Sequence, residues 1–183
     1  MKQYQILGHC LPDKLFTSNG KRLFFKDLVF ELKNHIILIW NLPGIASKTT
    51  DIYQLMVKLM KNHDYQESDL MIKNYPQLAT CLNDYDHRNY LHHILYEKQR
   101  LDDAIKALTD HQDLDLGHLI RQSYVSYKTM VGFTKQKHDR LVLMANQLGA
   151  IGANIDGSKI LVLVDKNQAK SFSHRQPCQF LNL

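Results

Sequence analysis

Glycines near the end of the sequence have the spacing that comes nearest to a ligand-binding loop. Gly149, Gly152 and Gly157 punctuate two short apolar segments, and Asp156 stands directly before the last glycine. A phosphate cradle needs several such residues in succession, so that consecutive N–H groups converge on one anion. Because only the polar pair Ser158-Lys159 separates Gly157 from the next predicted strand, the segment is too short to hold a nucleotide. It is interpreted either as the remnant of a nucleotide loop, formed by Gly152, Asp156 and Gly157, or as a turn between antiparallel strands.

Histidines at positions 87, 92 and 93 are the residues closest to a metal-binding pattern. Adjacent residues on a helix project about 100° apart, and no carboxylate pair faces His92 and His93. We therefore expect no metal.

Cysteine usage and hydropathy favour a cytoplasmic protein. The cysteines are odd in number and far apart, which suits free thiols in a reducing compartment; they are Cys10, Cys81 and Cys178. Residues 1–20 lack a secretion signal, and the longest apolar run, residues 36–40, is far shorter than the roughly 20 residues of a membrane helix. We expect no membrane association.

The charge pattern argues against nucleic acid as a partner. The net charge of +5 comes from 23 basic residues that are scattered along the chain, without a block or stripe of like charge. At 183 residues the chain is long enough for a sizeable core, and it shows no internal boundary, so one domain over residues 1–183 is expected.

Strand-like segments occur at both ends of the chain. Residues 35–40 form a β-branched apolar run that predicts a central strand buried on both faces. Residues 151–155 and 160–164 predict two more strands, and residues 179–183 a less regular fourth. Within residues 1–33, short strands on either side of the Ser18-Asn19-Gly20 turn are predicted.

Helical spacing of apolar residues dominates the middle of the chain. One amphipathic helix is predicted over residues 47–62, and short helical pieces are predicted around Pro76. Asp84 or Asp86 can cap a second, long helix, and Asp113 can cap a third. A fourth is marked by apolar residues at helical spacing, namely Leu141, Met144, Ala145 and Leu148. This order predicts an α+β fold, in which a mainly antiparallel sheet of about four strands carries helices on one face.

Several segments resemble the C-terminal domain of galactokinases, which belong to the GHMP kinase superfamily. Residues 32–41 look like the family's buried strand with its following turn. Twelve residues past Asn41, Tyr53 stands where the family has the tyrosine of a Tyr-Asn-x-Arg motif that contacts the sugar. The asparagine and arginine of that motif are absent here. Tyr53 is therefore either a sugar-binding residue or a helix residue with its ring at the edge of the core.

Four further positions continue the resemblance in the same order. Glu97 matches the glutamate of a family helix, and residues 116–124 are similar to Phe-Gly-x-Leu-Met-x-x-Ser-His, with Tyr124 in place of the histidine. Asp139 matches the aspartate of Glu-Leu-Asp, although it is also an ordinary first-turn residue of a helix. Residues 152–157 resemble Gly-Ala-Arg-Met-Thr-Gly, after which about four residues of the family's glycine-rich continuation are missing. The resemblance implies a GHMP kinase C-terminal fold with a ferredoxin-like core.

The family's N-terminal domain supplies a Gly-Leu-Ser-Ser-Ser phosphate loop and an aspartate proposed as the catalytic base, and this sequence contains neither. Phosphoryl transfer depends on such a cradle together with Mg²⁺, so no catalytic residue is assigned and no cofactor is expected. Two hypotheses follow. In the first, the chain has no kinase activity of its own and is a module that binds a sugar-related ligand or regulates a partner, with self-association possible, or it is a degenerate paralogue. In the other, it is half of a split sugar kinase. In the second case a separate N-terminal subunit completes the site for ATP and Mg²⁺.

Overall fold

The computed structural model describes residues 15–18, 23–26, 32, 34–41, 71–132, 134, 136–156, 159–175 and 178–181. The predicted helix over residues 47–62, with Tyr53, lies outside the described residues, and so does Gly157. A hairpin of β1 (Leu15–Ser18) and β2 (Leu23–Lys26) lies near the start of the chain. Its antiparallel pairing confirms the strands predicted on either side of residues 18–20.

A four-stranded antiparallel sheet joins segments that lie far apart in the sequence. Its strands are β3 (His35–Asn41), β4 (Gly152–Asp156), β5 (Lys159–Asp165) and β6 (Cys178–Leu181), in the order β4-β5-β3-β6. β3 pairs with β5 along its full length, from His35 opposite Asp165 to Asn41 opposite Lys159. The predicted sheet is confirmed, with β3 at an interior position.

Five α-helices are described in this part of the chain: α1 (Tyr75–Thr80), α2 (Tyr85–Thr109), α3 (Asp113–Ser126), α4 (Gln136–Gln147) and α5 (Ala169–Arg175). The side chain of Asp84 accepts a hydrogen bond from the backbone N–H of His87 at 2.9 Å, so Asp84 caps α2 as predicted. A π-helical turn, Tyr127–Val131, extends α3, and Gly132 ends it at a φ of 70°. The sequence pattern did not indicate this turn or α5.

Helices pack on both faces of the sheet. Alternate strand residues face opposite sides, so each face has its own apolar cluster. On the first face, strand residues pack against α4 and α5; the cluster includes Leu38, Trp40, Ile160, Val162, Val142 and Phe172. On the second face, strand residues pack against α2 and α3; the cluster includes Ile37, Ile39, Leu161, Leu163, Leu108 and Leu116.

The α+β class is therefore confirmed, whereas the prediction of helices on only one face is wrong. The physical reason is visible in β5, in which five consecutive residues are buried, from Ile160 to Val164. A strand that is apolar at consecutive positions needs cover on both sides. None of the described helices has the length and hydropathy required to cross a membrane.

Candidate functional site

Gly152 at the start of β4 lies against the backbone of α3. A Cβ atom on Gly152 would lie 2.6 Å from the carbonyl oxygen of Gly117, and one on Gly117 would lie 2.2 Å from Cγ2 of Ile151. Neither distance is compatible with a real side chain, so both positions require glycine for close helix–strand packing. A packing role is therefore enough to explain Gly152, one of the three residues of the predicted loop remnant.

The end of β4 turns directly into β5. Asp156 pairs with Lys159, so only positions 157 and 158 lie between the last paired residues of the two strands. A connection of two residues is a hairpin length, whereas an anion cradle needs several successive N–H groups that point at one centre. The second interpretation of the glycine segment, a turn between antiparallel strands, fits this register.

A chain of polar side chains connects α2, α3 and β4. Arg100 Nε donates to Glu97 Oε1 at 2.7 Å, and Ser123 Oγ donates to the second oxygen, Oε2, at 2.8 Å. Asn154 Nδ2 in turn donates to Ser123 Oγ at 2.9 Å. The charged side chains are largely buried, with 12% of Arg100 and 19% of Glu97 exposed. We call these four residues the Glu97 network; it joins three of the segments that carry the resemblance.

His93 brings a histidine close to a serine and a carboxylate, but the geometry is not that of a nucleophilic triad. Its Nδ1 atom lies 2.9 Å from Ser126 Oγ and 3.9 Å from Glu97 Oε1. A triad histidine uses different ring nitrogens for the nucleophile and the carboxylate, whereas here both partners face the same atom. Burial, with smaller contributions from the charges of Arg100 and His92, lowers the pKa of His93 to about 3. His93 is therefore a neutral residue of the α2–α3 interface.

A second polar group connects α3 to α4. Tyr124 Oη donates to Asp139 Oδ1 at 2.6 Å, and Lys128 Nζ lies 3.0 Å from Asp139 Oδ2. Burial and the hydrogen bond to Asp139 raise the pKa of Tyr124. Burial opposes ionisation of Asp139, but the hydrogen bonds from Tyr124, Lys128 and Thr134 prevail and lower its pKa. The neutral phenol and the carboxylate thus hold the start of α4 in place.

The histidines considered as metal ligands have other surroundings. The His92 ring stacks on Tyr96 with 4.4 Å between centroids, and its edge meets Tyr75 at 5.3 Å. Burial and the charge of Arg100 lower the pKa of His92. No group of three or more His, Cys, Asp or Glu residues that could hold a metal ion occurs among the described residues.

The structure brings together most of the positions that carried the resemblance. Glu97, Ser123 and Asn154 form one hydrogen-bonded group, and Tyr124 meets Asp139 in another. The side chain of Asp156 lies outside the described part of the structure. The ligand-binding roles expected of Asp156, Tyr53 and Gly157 therefore stay predictions.

Sequence reasoning missed two contacts of this region. Arg100 follows Glu97 by three residues, a spacing at which helical side chains meet, so its pairing had a signal in the sequence. His35 Nδ1 lies 2.7 Å from Asp113 Oδ2 and links the start of β3 to the first turn of α3. Nothing local to either residue indicates that second contact.

No protein-family model and no curated protein sequence matches the chain. Among solved structures, Lactococcus lactis galactokinase complexed with galactose superimposes with a TM-score of 0.75 and 20% identity, covering 93% of this chain and 50% of that one. The mevalonate kinase of L. major in complex with R-mevalonate gives a TM-score of 0.53 at 16% identity, covering 91% of this chain and 47% of that one. Mevalonate kinase from methicillin-resistant Staphylococcus aureus MRSA252 gives a TM-score of 0.52 at 12% identity, covering 93% of this chain and 48% of that one.

These similarities concern the fold, because the sequence identities are low. The chain spans about half the length of each of the kinases it matches. The chain has the α+β fold of a GHMP kinase C-terminal domain, as the resemblance to galactokinases implied.

Proposed function

We propose that the chain is a galactokinase-like module that binds a sugar-related ligand or regulates a partner and that does not phosphorylate a sugar on its own. The observation that carries the proposal is the register of β4 and β5, which leaves two positions between Asp156 and Lys159. Such a connection has too few N–H groups to cradle a triphosphate, and Gly152 is occupied in packing against Gly117. We therefore expect that this module alone does not bind ATP and Mg²⁺.

The ligand that we propose is a sugar. The solved galactokinase, half of which matches the fold of this chain, is complexed with galactose, and Tyr53 occupies the position of a sugar-contacting tyrosine in the resemblance. We place the protein in the cytoplasm, in keeping with its three separated cysteines.

Isothermal titration of the protein with galactose, and separately with ATP, tests this proposal. We expect saturable heat with galactose, weaker binding in Tyr53→Phe, and no binding of ATP. Tyr85→Phe is the matched control, because Tyr85 is 75% exposed at the start of α2. If galactose gave no saturable heat, the proposal of sugar binding would be wrong. If ATP bound and Gly157→Val abolished that binding, the loop would be a nucleotide site.

A second candidate function is that of one half of a split sugar kinase. It is favoured by one observation: the similarity to galactokinase covers 93% of this chain but only 50% of the kinase. Ligand sites usually lie where two domains meet, so a separate N-terminal half would complete this one.

Mixing the protein with the separately produced N-terminal half of Lactococcus lactis galactokinase tests the split-kinase candidate. Galactose phosphorylation that needs both chains would favour it. Failure of the two chains to associate in sedimentation experiments would count against it.

A further inference from the structure

Three aromatic rings meet at the surface of α2, and we call Tyr75, His92 and Tyr96 the ring cluster. The His92 ring stacks on Tyr96 with 27° between the two planes, and Tyr75 on α1 lies perpendicular to His92 at 88°. Tyr96 remains 38% exposed although His92 covers one face of its ring. The stack therefore holds the Tyr96 ring in one orientation at the surface, which lowers the entropic cost of binding a ligand on it.

The charges around the ring cluster do not favour an ionic ligand. Burial and the charge of Arg100 lower the pKa of His92 from its ordinary value of 6.5, so this ring is neutral at pH 7. The guanidinium of Arg100 is itself paired with the carboxylate of Glu97. An anion at the ring cluster would have to compete with Glu97 for that guanidinium, so an uncharged ligand is the better match.

Two exposed polar side chains lie on the same face of α2 as Tyr96. Gln99 and Asp103 follow Tyr96 by three and seven residues, and side chains at these spacings lie next to one another along a helix. Gln99 Nε2 donates to Asp103 Oδ1 at 3.1 Å, which holds the amide beside the carboxylate. The amide keeps its oxygen and a second N–H, and the carboxylate keeps its other oxygen, so the pair can still bind hydroxyl groups.

We propose that Tyr96, Gln99 and Asp103 form a surface site for an uncharged sugar ring, a hexopyranose. One face of such a ring carries C–H groups, whose slight positive charge suits the negative face of a tyrosine ring, and its rim carries hydroxyls that suit an amide and a carboxylate. Ligand sites in proteins have this combination of an apolar surface and a few placed polar groups. The site does not include Tyr53, so it stands whether or not Tyr53 binds a sugar.

A ¹H–¹⁵N NMR titration of the protein with galactose tests the proposal. We expect saturable chemical-shift changes at the backbone amides of residues 92–103. Galactitol, which has hydroxyls but no ring and hence no fixed apolar face, should cause much smaller changes. Tyr96→Ala should weaken galactose binding about tenfold, whereas Tyr96→Trp keeps an aromatic face and should bind at least as well as the wild type. Tyr85→Ala is the matched control, because Tyr85 is 75% exposed on the same helix, and it should bind as the wild type does.

Tyr53→Phe separates this site from the sugar site proposed above. It should leave the shift changes at residues 92–103 as they are in the wild type, and their loss in this variant would overturn the proposal of a separate site. Absence of saturable shifts at residues 92–103, or equal affinity in Tyr96→Ala, would also overturn it. Sedimentation velocity tests whether a second copy of the chain covers the ring cluster instead. A wild-type dimer that Tyr96→Ala dissociates would assign the cluster to that contact and overturn the sugar site.

Discussion

The carbonyl oxygen of Gly117 occupies the place where a side chain on Gly152 would begin. The distance from a Cβ atom on Gly152 to this oxygen would be 2.6 Å, and the oxygen belongs to backbone, which cannot rotate away. This contact sets the separation between α3 and β4. It also explains why two glycines that are 35 positions apart in the chain both belong to the resemblance.

Gly152→Ala should therefore destabilise the protein strongly. Overpacking usually costs about 1–3 kcal/mol, and we expect the upper end because the obstacle is backbone. Urea denaturation measures the free energy of unfolding. Gly132→Ala is a useful comparison, since nothing lies within 4 Å of its Cβ position and only its φ of +70° opposes the change. Stability of Gly152→Ala equal to that of the wild type would contradict the packing role.

Glu97→Ala should cost about 3 kcal/mol or more, because it leaves the largely buried guanidinium of Arg100 without its carboxylate. Glu97→Gln keeps a hydrogen-bond acceptor for Ser123 and should cost less. Asp103→Ala, at an exposed position on the same helix, is the control and should change stability by less than about 0.5 kcal/mol. If thermal and chemical denaturation showed that Glu97→Ala is as stable as Asp103→Ala, the Glu97 network would not stabilise the protein.

His93 should make the protein sensitive to acid. Its pKa is about 3 in the folded protein against an ordinary value of 6.5, so between these values the unfolded state binds the extra proton. Stability that is present above pH 6.5 is therefore lost as the pH falls, with a slope of at most about 1.4 kcal/mol per pH unit from this group.

Urea denaturation at a series of pH values between 7 and 4 measures this slope. In His93→Gln the slope should be smaller than in the wild type, although the protein is less stable at pH 7. Charged or titratable groups near His93 remain in both proteins; they are Glu97, Arg100, His92 and Tyr127. Identical slopes would mean that His93 is accessible to protons in the folded state.

Tyr124→Phe removes the donor to Asp139 and keeps the ring. The expected loss is about 1.5–3 kcal/mol, the range for a hydrogen bond to a charged group. Tyr85→Phe, on the exposed start of α2, should be neutral. If differential scanning calorimetry gave both variants the wild-type melting temperature, the contact between α3 and α4 would carry no stability.

Most of the fold could be predicted because its signals are local. The apolar runs of β3 and β5 and the cap at Asp84 are each visible within a few residues. α5 was missed because seven residues are too few for a periodic pattern; among its described side chains, Ala169 and Phe172 are the buried ones. The π-helical turn continues the helical backbone of α3, with the N–H of Gly132 donating to the carbonyl of Tyr127. Its sequence does not differ visibly from that of an α-helix.

The candidate site was harder to predict because its contacts are long-range. Ser123 is 26 positions from Glu97 and 31 from Asn154, and these separations have no periodicity that a sequence displays. The resemblance identified the three positions separately, but the hydrogen bonds that join them required the packing of α2, α3 and β4. Their role in holding the fold together is therefore a result of the structure.

A coupled ADP-release assay on the purified protein, with galactose and MgATP, tests the central claim most directly. The account predicts turnover no greater than that of a sample without protein, because the connection between β4 and β5 cannot cradle the triphosphate. Turnover well above this background that falls in Tyr53→Phe and in Gly157→Val would show that the chain is a complete kinase, and it would contradict the account.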